Sequence, residues 1–264
     1  MVLFILFPGL GAPEKIWKET HNFKKIIKLN FLNELKKLGN VYTYTPEAYK
    51  YAYFINYPPK RKKLEDNFFN KKPRKITMSD INIRSECQRI YEEVKSYKGK
   101  FIPIGHSAGG WFAFYFSKMY SRRCEKLILI ESGKMWFNNL YPFIEKQYVR
   151  MNNNKLNELV EKVKTGDEKY MNELLEIIKY HYLIAVNKMN KKLSLSTLSF
   201  EDIRITDNCE KDKSHNDKIL NYQKRITKIN GNKIKHINFI NTNHFPWEIK
   251  EYSDEIIRQI KCFI

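Results

Sequence analysis

Cysteine is scarce in this sequence, and the residues that occur are far apart. The four cysteines are Cys87, Cys124, Cys209 and Cys262, and no two of them form a C-x-x-C pair. Zinc centres and disulfide frameworks are usually built from cysteines at short, regular spacings. The pattern therefore predicts neither a metal centre nor a disulfide framework, and it favours reduced thiols in a cytoplasmic compartment.

Long apolar runs are also absent. A helix that crosses a bilayer needs about 20 predominantly apolar residues in succession, and no apolar run in the chain approaches that length. The apolar start at 2–7 lacks a preceding basic segment and is interrupted by Pro8 and Gly9, unlike a secretory signal. We therefore expect a soluble protein without a transmembrane segment, whose first apolar run is a buried strand.

Acidic residues are too few to balance the basic ones. The chain has 29 Asp and Glu against 48 Lys and Arg, a formal charge of +19, which creates a field that favours anionic partners. Most of the basic residues are dispersed lysines, but denser clusters lie at 60–63 and 71–75. The run Lys60 to Lys63 fits a nuclear-localisation or nucleic-acid patch, and it also fits a solvated loop. We favour the loop, so nucleic acid is not an expected partner, and nuclear localisation stays open.

Strand and helix patterns alternate along the chain. The apolar runs that predict strands are 2–7, 41–44, 101–104, 127–130, 203–206 and 234–240. The segments with helical spacing are 23–38, 79–97, 109–120, 218–229 and 247–263. This alternation predicts an α/β fold with a mostly parallel sheet flanked by helices. Residues 134–199 are helical without strands, so we predict an inserted helical cap there and a core at 1–133 and 200–264.

The segment 101–110 holds the most informative motif. A predicted strand runs directly into Gly105-His106-Ser107-Ala108-Gly109, and an apolar helix follows. A serine on such a turn has a strained backbone that directs its Oγ toward substrate, and flanking glycines remove side chains that would collide. The Ala108 N–H and the helix N-terminus then face the negative charge that develops on a substrate carbonyl. The motif in this context predicts Ser107 as a nucleophile.

A serine nucleophile needs a base, and His244 occupies the expected place. In hydrolases with this motif the chain order is serine, acid, histidine, and His244 follows the last predicted strand. His215 competes but precedes that strand. The other histidines, which lie in less suitable places, are His21, His106, His181 and His236.

The acid that orients the histidine has several candidates. Asp212 follows the strand predicted at 203–206, where a carboxylate at the carboxyl edge of the sheet can stabilise a protonated imidazole. Glu131 is the runner-up because it ends another predicted strand. Asp207 and Glu210 are third choices. We assign Asp212 and keep the others open.

A second oxyanion donor is expected in the loop after the first strand. This loop reads Pro8-Gly9-Leu10-Gly11, and glycine neighbours let the backbone approach a substrate closely. The corresponding loop of G-x-S-x-G hydrolases donates an N–H to the oxyanion. We therefore predict the Leu10 N–H as the partner of the Ala108 N–H.

Taken together, these motifs resemble those of the α/β-hydrolase superfamily, and they span nearly the whole chain. The resemblance implies an esterase, lipase or related hydrolase without a cofactor, in which Ser107 attacks a small acyl substrate and His244 relays the proton. The chain departs from the family at its start. Its first strand resembles the third strand of the family, so a shortened sheet is expected. It also implies a lid after Glu131, with Trp136 and Phe137 lining the acyl pocket or packing in a helical core. Trp111 either contacts substrate or packs on the sheet.

Three alternatives to an active esterase remain. A catalytically inactive protein of this fold would serve as a binding or scaffold protein, since fold alone does not fix function. A serine peptidase or thioesterase would use the same residues on a different acyl bond. A nucleic-acid-binding protein would need its basic residues clustered on one face, and only 60–75 offers such a cluster. The oligomeric state is not predicted by any of these patterns.

Overall fold

The fold is described from a computed structural model of the 264-residue chain. The described residues are 2–12, 14–22, 25–51, 75–124, 126–132, 151–165, 167–192, 201–208, 234–240 and 245–264. The helix predicted at 218–229 and the basic cluster at 60–63 lie outside them.

A parallel sheet forms the centre of the molecule. The strands are β1 Val2–Phe7, β2 Glu19–Asn22, β3 Lys25–Lys28, β4 Asn40–Thr43, β5 Lys100–His106, β6 Lys126–Ile130, β7 Glu201–Asn208 and β8 Ile234–Ile240. Six of them form one sheet in the order β4-β1-β5-β6-β7-β8, and every neighbouring pair is parallel. The prediction of a mostly parallel sheet flanked by helices is confirmed.

Helices cover both faces of this sheet. They are α1 Phe31–Leu38, α2 Ile83–Val94, α3 Gly109–Met119, α4 Asn153–Val163, α5 Glu168–Lys192 and α6 Lys250–Phe263. Side chains of α1 and α6 share one buried apolar cluster, and those of α2, α3, α4 and α5 share the other. Because helices lie on both sides, β1 is buried on both faces, which explains its continuous apolar sequence. Phe4 and Leu6 enter the first cluster, while Ile5 and Phe7 enter the second.

One predicted helix is shorter in the structure than in the sequence analysis. The segment 23–38 was expected to be helical throughout, but β2 and β3 form an antiparallel hairpin and α1 begins only at Phe31. Ile26 and Ile27 are β-branched residues that suit a strand as well as a helix. The hairpin is closed at its end by a hydrogen bond from the Leu29 N–H to the Lys18 carbonyl oxygen (2.7 Å). The helical prediction was therefore wrong for residues 25–30.

Helices α4 and α5 pack directly on the core. The ring of Tyr182, on α5, meets the ring of Phe112, on α3, edge to face at 4.7 Å. At the start of α4, the Asn153 Oδ1 accepts a hydrogen bond from the Met78 N–H (2.7 Å). Because the boundaries of the predicted cap at 134–199 fall outside the described residues, the division into core and cap stays a prediction. Among the described helices, none has both the length and the apolar composition needed to cross a membrane.

Helix α2 carries a buried carboxyl group. Glu86 is 1% exposed and contacts the guanidinium of Arg89 and the hydroxyl of Tyr44. Arg89 also pairs with Glu47, with 2.9 Å between Nη1 and Oε1. Burial raises the pKa of Glu86 from its ordinary value of 4.5 to about 7, although Arg89 opposes this shift. The folded protein therefore favours the protonated form of this side chain.

The pH dependence of stability follows from the raised pKa of Glu86. Between pH 4.5 and about 7 the folded state binds more protons at this site than the unfolded state, so the free energy of unfolding falls as pH rises. Over this window we expect the free energy of unfolding of the wild-type protein to fall by about 3 kcal/mol relative to that of Glu86→Gln, whose side chain stays neutral. Urea unfolding of both proteins from pH 5 to 8 measures this difference, and curves that stay parallel over the range would contradict it.

Candidate active site

Ser107 lies on a sharp turn between β5 and α3, which we call the serine turn (residues 105–109). Its φ angle is 50°, in the left-handed region that costs a non-glycine residue about 1–2 kcal/mol. Strained residues of this kind persist only where the surrounding structure enforces them, and they concentrate at functional sites. The side chain is partly exposed while its neighbours on both sides are buried. The turn therefore presents the serine hydroxyl at the carboxyl edge of the sheet.

Two glycines allow the serine turn to form. A Cβ atom on Gly105 would lie 2.4 Å from the Cα of Gly110, and one on Gly109 would lie 2.2 Å from the carbonyl oxygen of Phe7. In both cases the obstructing atoms belong to the backbone, so a side-chain rotation cannot relieve the clash. Only glycine fits at these two positions of the motif.

Hydrogen bonds to the end of β6 hold the serine turn in place. The Ser107 N–H donates to the Ile130 carbonyl oxygen (2.9 Å). The buried Ser132 hydroxyl contacts the carbonyl oxygens of Gly105 and Ile130, each at 3.1 Å. The Ser107 carbonyl oxygen in turn accepts a hydrogen bond from the Gly110 N–H (3.0 Å), in the first turn of α3. The turn is thus fixed both to the neighbouring strand and to its own helix.

The loop after β1, which we call the glycine loop (residues 8–11), lies against the serine. A Cβ atom on Gly9 would be 3.3 Å from the Cβ of Ser107 and 3.0 Å from Nδ1 of His106. Gly11 has a φ of 67°, and the Ala12 N–H donates to the Gly9 carbonyl oxygen (3.1 Å). The loop is therefore a tight turn whose backbone approaches Ser107 closely.

Glu131 occupies a position next to the serine turn. His106 pairs with Ile130 in the register of β5 and β6, so the residues that follow, Ser107 and Glu131, occupy equivalent positions at the ends of adjacent strands. Glu131 has a φ of 52°, and these two residues are the ones that combine a side chain with a positive φ in the described part of the chain. Glu131 is partly buried. Its placement and its backbone strain keep it a candidate for a role in the site.

An aromatic cluster lies behind the serine turn, formed by Trp17, His106, Phe245 and Trp247. The His106 ring is 4.7 Å from Trp247, 5.0 Å from Phe245 and 6.1 Å from Trp17, between ring centroids. Trp17 and Trp247 stack at 4.4 Å. Sequence reasoning missed this cluster, although the aromatic residues that follow His244 were visible.

The structure describes some of the predicted site residues and not others. Ser107 and Ala108 lie on the serine turn, Gly9, the neighbour of Leu10, lies against Ser107, and Glu131 follows the adjacent strand. Trp111 is buried in the first turn of α3 and belongs to the apolar cluster of that face, which favours packing over contact with substrate. Its Nε1 has no hydrogen-bond partner among the described residues. Four predicted site residues lie outside the described residues: His244, Asp212, Trp136 and Phe137. Within the described ranges, no group of three or more His, Cys, Asp or Glu side chains could hold a metal ion.

Comparisons with known proteins give structural relatives only. No family model matches the sequence, and no curated protein matches it. Among solved structures, a lipase-esterase related protein from Clostridium acetobutylicum has 19% identity and a TM-score of 0.52, and the match covers 100% of this chain and 94% of that one. The RedJ thioesterase from the prodiginine pathway of Streptomyces coelicolor has 10% identity and a TM-score of 0.54, with coverage of 100% and 86%. The epoxide hydrolase CorEH has 14% identity and a TM-score of 0.55, with coverage of 99% and 90%.

These likenesses identify the fold. The similar structures cover nearly the whole chain, and several of them are described as α/β hydrolases, esterases or lipases. The protein therefore has the α/β-hydrolase fold, here with six parallel strands in the main sheet. At these identities the likeness defines the architecture, and the chemistry has to be argued from the site.

The backbone contacts of Gly109 predict a large loss of stability on substitution. In Gly109→Ala the new methyl group meets the carbonyl oxygens of Phe7 and Pro8 at 2.2 and 2.3 Å, so α3 or β1 must shift. We expect the free energy of unfolding to fall by about 3 kcal/mol or more.

Gly9→Ala is the matched control, because its methyl group meets side-chain atoms at 3.0 Å or more. It should cost about 1 kcal/mol. Urea denaturation measures both variants, and equal stabilities would contradict this account of the serine turn.

Proposed function

We propose that this protein is a serine hydrolase that cleaves a carboxylic ester or a related acyl bond through Ser107, His244 and Asp212. The observation that carries the proposal is the left-handed backbone of Ser107 on the serine turn, with the glycine loop beside it. This arrangement has the features of the strained strand-to-helix turn that carries the nucleophile in α/β hydrolases, and it supports the proposal. The structural relatives described as esterase-related and as a thioesterase support the same class of reaction.

The proposed reaction has two steps. In the first, the Ser107 Oγ attacks the substrate carbonyl carbon while His244 takes the hydroxyl proton. The tetrahedral intermediate then expels the alcohol, which receives the proton from His244, and an acyl-enzyme remains. In the second step water attacks the acyl carbon with His244 again as base, and the acid product leaves with Ser107 restored.

Two backbone N–H groups are proposed to stabilise the oxyanion. Ala108 immediately precedes α3, and the N–H groups at a helix N-terminus have no acceptor within the helix. Leu10 lies in the glycine loop, whose neighbour Gly9 is within van der Waals reach of Ser107. Donors fixed in position before the reaction stabilise the developing charge without reorganisation, an effect worth about 3 kcal/mol for a single donor.

The assignment of His244 as the base is supported by its covalent neighbour. Phe245 follows it directly in the sequence, and the Phe245 ring lies 5.0 Å from the ring of His106, the residue before Ser107. Consecutive Cα atoms are about 3.8 Å apart. The packing of Phe245 on His106 therefore supports a short distance between His244 and Ser107.

The acid is proposed to be Asp212, with Glu131 as the runner-up. β7 ends at Asn208, so Asp212 belongs to the connection that leaves the carboxyl edge of the sheet, the edge that carries Ser107. Glu131 is already at that edge, next to the serine turn. We further propose that Trp136 and Phe137 line the acyl pocket, whereas Trp111 packs in the core.

Covalent labelling tests the nucleophile. A fluorophosphonate probe should react with the wild-type protein and add one phosphonate group, and Ser107→Ala should abolish the labelling. Ser117→Ala is a suitable control, because Ser117 is a buried serine of α3 that bonds within its own helix. An unlabelled but folded wild-type protein would contradict the proposal and favour a scaffold role.

A comparison of two variants tests the acid. Asp212→Asn should lower kcat for p-nitrophenyl acetate by about 10⁴-fold, because the imidazole loses the group that fixes its tautomer and stabilises its charge. Glu131→Gln should stay within about tenfold of the wild type, as expected for a residue that only supports the turn. The assignment is wrong if Glu131→Gln alone collapses turnover.

A further inference from the structure

The ring of His106 lies where several segments of the proposed site meet. This residue is 1% exposed and directly precedes Ser107. On one side, its Nδ1 lies against Gly9 of the glycine loop. On the other side, the ring contacts Phe245 and Trp247, which follow His244 in the chain. The glycine loop, the serine turn and the segment after the proposed base therefore share one buried side chain.

We infer that His106 is a positioning residue for catalysis, whose ring sets the separation between Ser107 and the segment that carries His244. The inference rests on the proposed function, since it concerns the alignment of the nucleophile with its base. It adds a role for the residue between Gly105 and Ser107, which the motif itself leaves unspecified.

Hydrogen bonds and burial hold the segment after His244 in place. Residues Pro246–Glu248 form a short 3-10 helix, closed by a hydrogen bond from the Glu248 N–H to the Phe245 carbonyl oxygen (3.0 Å). Trp247 is 1% exposed, and its Nε1–H donates to the Ile16 carbonyl oxygen (2.9 Å). The Trp247 indole is therefore fixed by a directional bond as well as by stacking.

Ring packing is the interaction that joins this fixed segment to the serine turn. The Trp247 and His106 rings are nearly perpendicular, at 89°, the edge-to-face geometry that aromatic pairs prefer. Trp17 contacts both rings as well. Removal of the imidazole leaves a space that Phe245 and Trp247 can fill by shifting, and such a shift moves the chain next to His244.

A displaced base lowers the rate of the chemical steps more than the affinity for substrate. A misplacement of about 1 Å can reduce a rate by about 100-fold, whereas substrate contacts elsewhere are unchanged. A residue that merely stabilises the fold would instead lower the fraction of folded protein and leave kcat of the folded molecules intact. The split between kcat and KM therefore distinguishes the two roles.

The experiment compares variants of the full-length protein by steady-state hydrolysis of p-nitrophenyl acetate and by the rate of fluorophosphonate inactivation. His106→Ala should lower kcat and the inactivation rate at least about tenfold, with KM within about threefold of the wild type. His106→Phe should recover most of the activity because it restores a ring, whereas His106→Asn should not. Trp247→Phe keeps a ring but loses the bond to Ile16, so it should have an intermediate kcat.

Ile260→Ala is the control for lost stability. Ile260 is fully buried on α6 on the same face of the sheet as the aromatic cluster and is not a member of it. This variant should be less stable and should keep the wild-type kcat. If His106→Ala retains the same kcat as Ile260→Ala, the inference is overturned. Recovery by His106→Asn and not by His106→Phe would also overturn it, because a hydrogen bond would then be the important interaction.

Two controls separate a failure of folding and a failure of the proposed function from a failure of the positioning role. If His106→Ala does not fold, Trp247→Phe decides the question, and an unchanged kcat in that variant overturns the inference. If the wild-type protein is not labelled at Ser107, the proposed function fails and the inference fails with it. Labelled wild type with an unaffected His106→Ala would overturn the positioning role alone.

Discussion

Direct contact between the backbone of the serine turn and the backbone of β1 is the constraint on which the site depends. Gly109 approaches the carbonyl oxygens of Phe7 and Pro8 so closely that no side chain fits between them. Phe7 ends a buried strand, Pro8 follows it directly, and Gly109 begins a buried helix, so neither element can move without disturbing the core. The strain at Ser107 is therefore supported by the sheet, and the position of its hydroxyl relative to the glycine loop is set by the fold.

Strand order explains which parts of the site are neighbours. β1, β5 and β6 are adjacent in the sheet, so the glycine loop, the serine turn and Glu131 meet at one edge, the edge where α/β folds place their ligands. β8 lies at the far side, separated from β5 by two strands. The chain after β8 returns to the serine turn through the aromatic cluster, which packs across a face of the sheet. Two different interactions thus assemble the site: parallel strand pairing and aromatic packing.

Local sequence was sufficient to place two of the strands. β1 and β8 were predicted with the bounds they have, β1 because its continuous apolar run suits a strand that is buried on both faces. The hairpin of β2 and β3 was missed because Ile26 and Ile27 fit the spacing of a helix as well as that of a strand. The pattern of apolar residues also gives no sign that β2 pairs with β3. β7 extends beyond the predicted 203–206 at both ends because pairing with β8 continues through polar residues.

The candidate site was predictable to the extent that it is a local motif. The turn at Gly105, Ser107 and Gly109 was predictable because strand, turn and helix follow one another in the sequence. The left-handed backbone of Glu131 carried no local signal, since glycine or asparagine would be the usual residue at such an angle. The aromatic cluster was hidden for another reason: Trp17 and Trp247 come from opposite ends of the chain, and only the folded sheet brings them together.

The most direct test of the account is a crystal structure of the protein after reaction with a fluorophosphonate. We expect phosphorus bonded to the Ser107 Oγ, with a phosphoryl oxygen within hydrogen-bond distance of the Leu10 and Ala108 N–H groups and the His244 imidazole adjacent to the adduct. An adduct on another residue, or a His244 side chain far from Ser107, would contradict it.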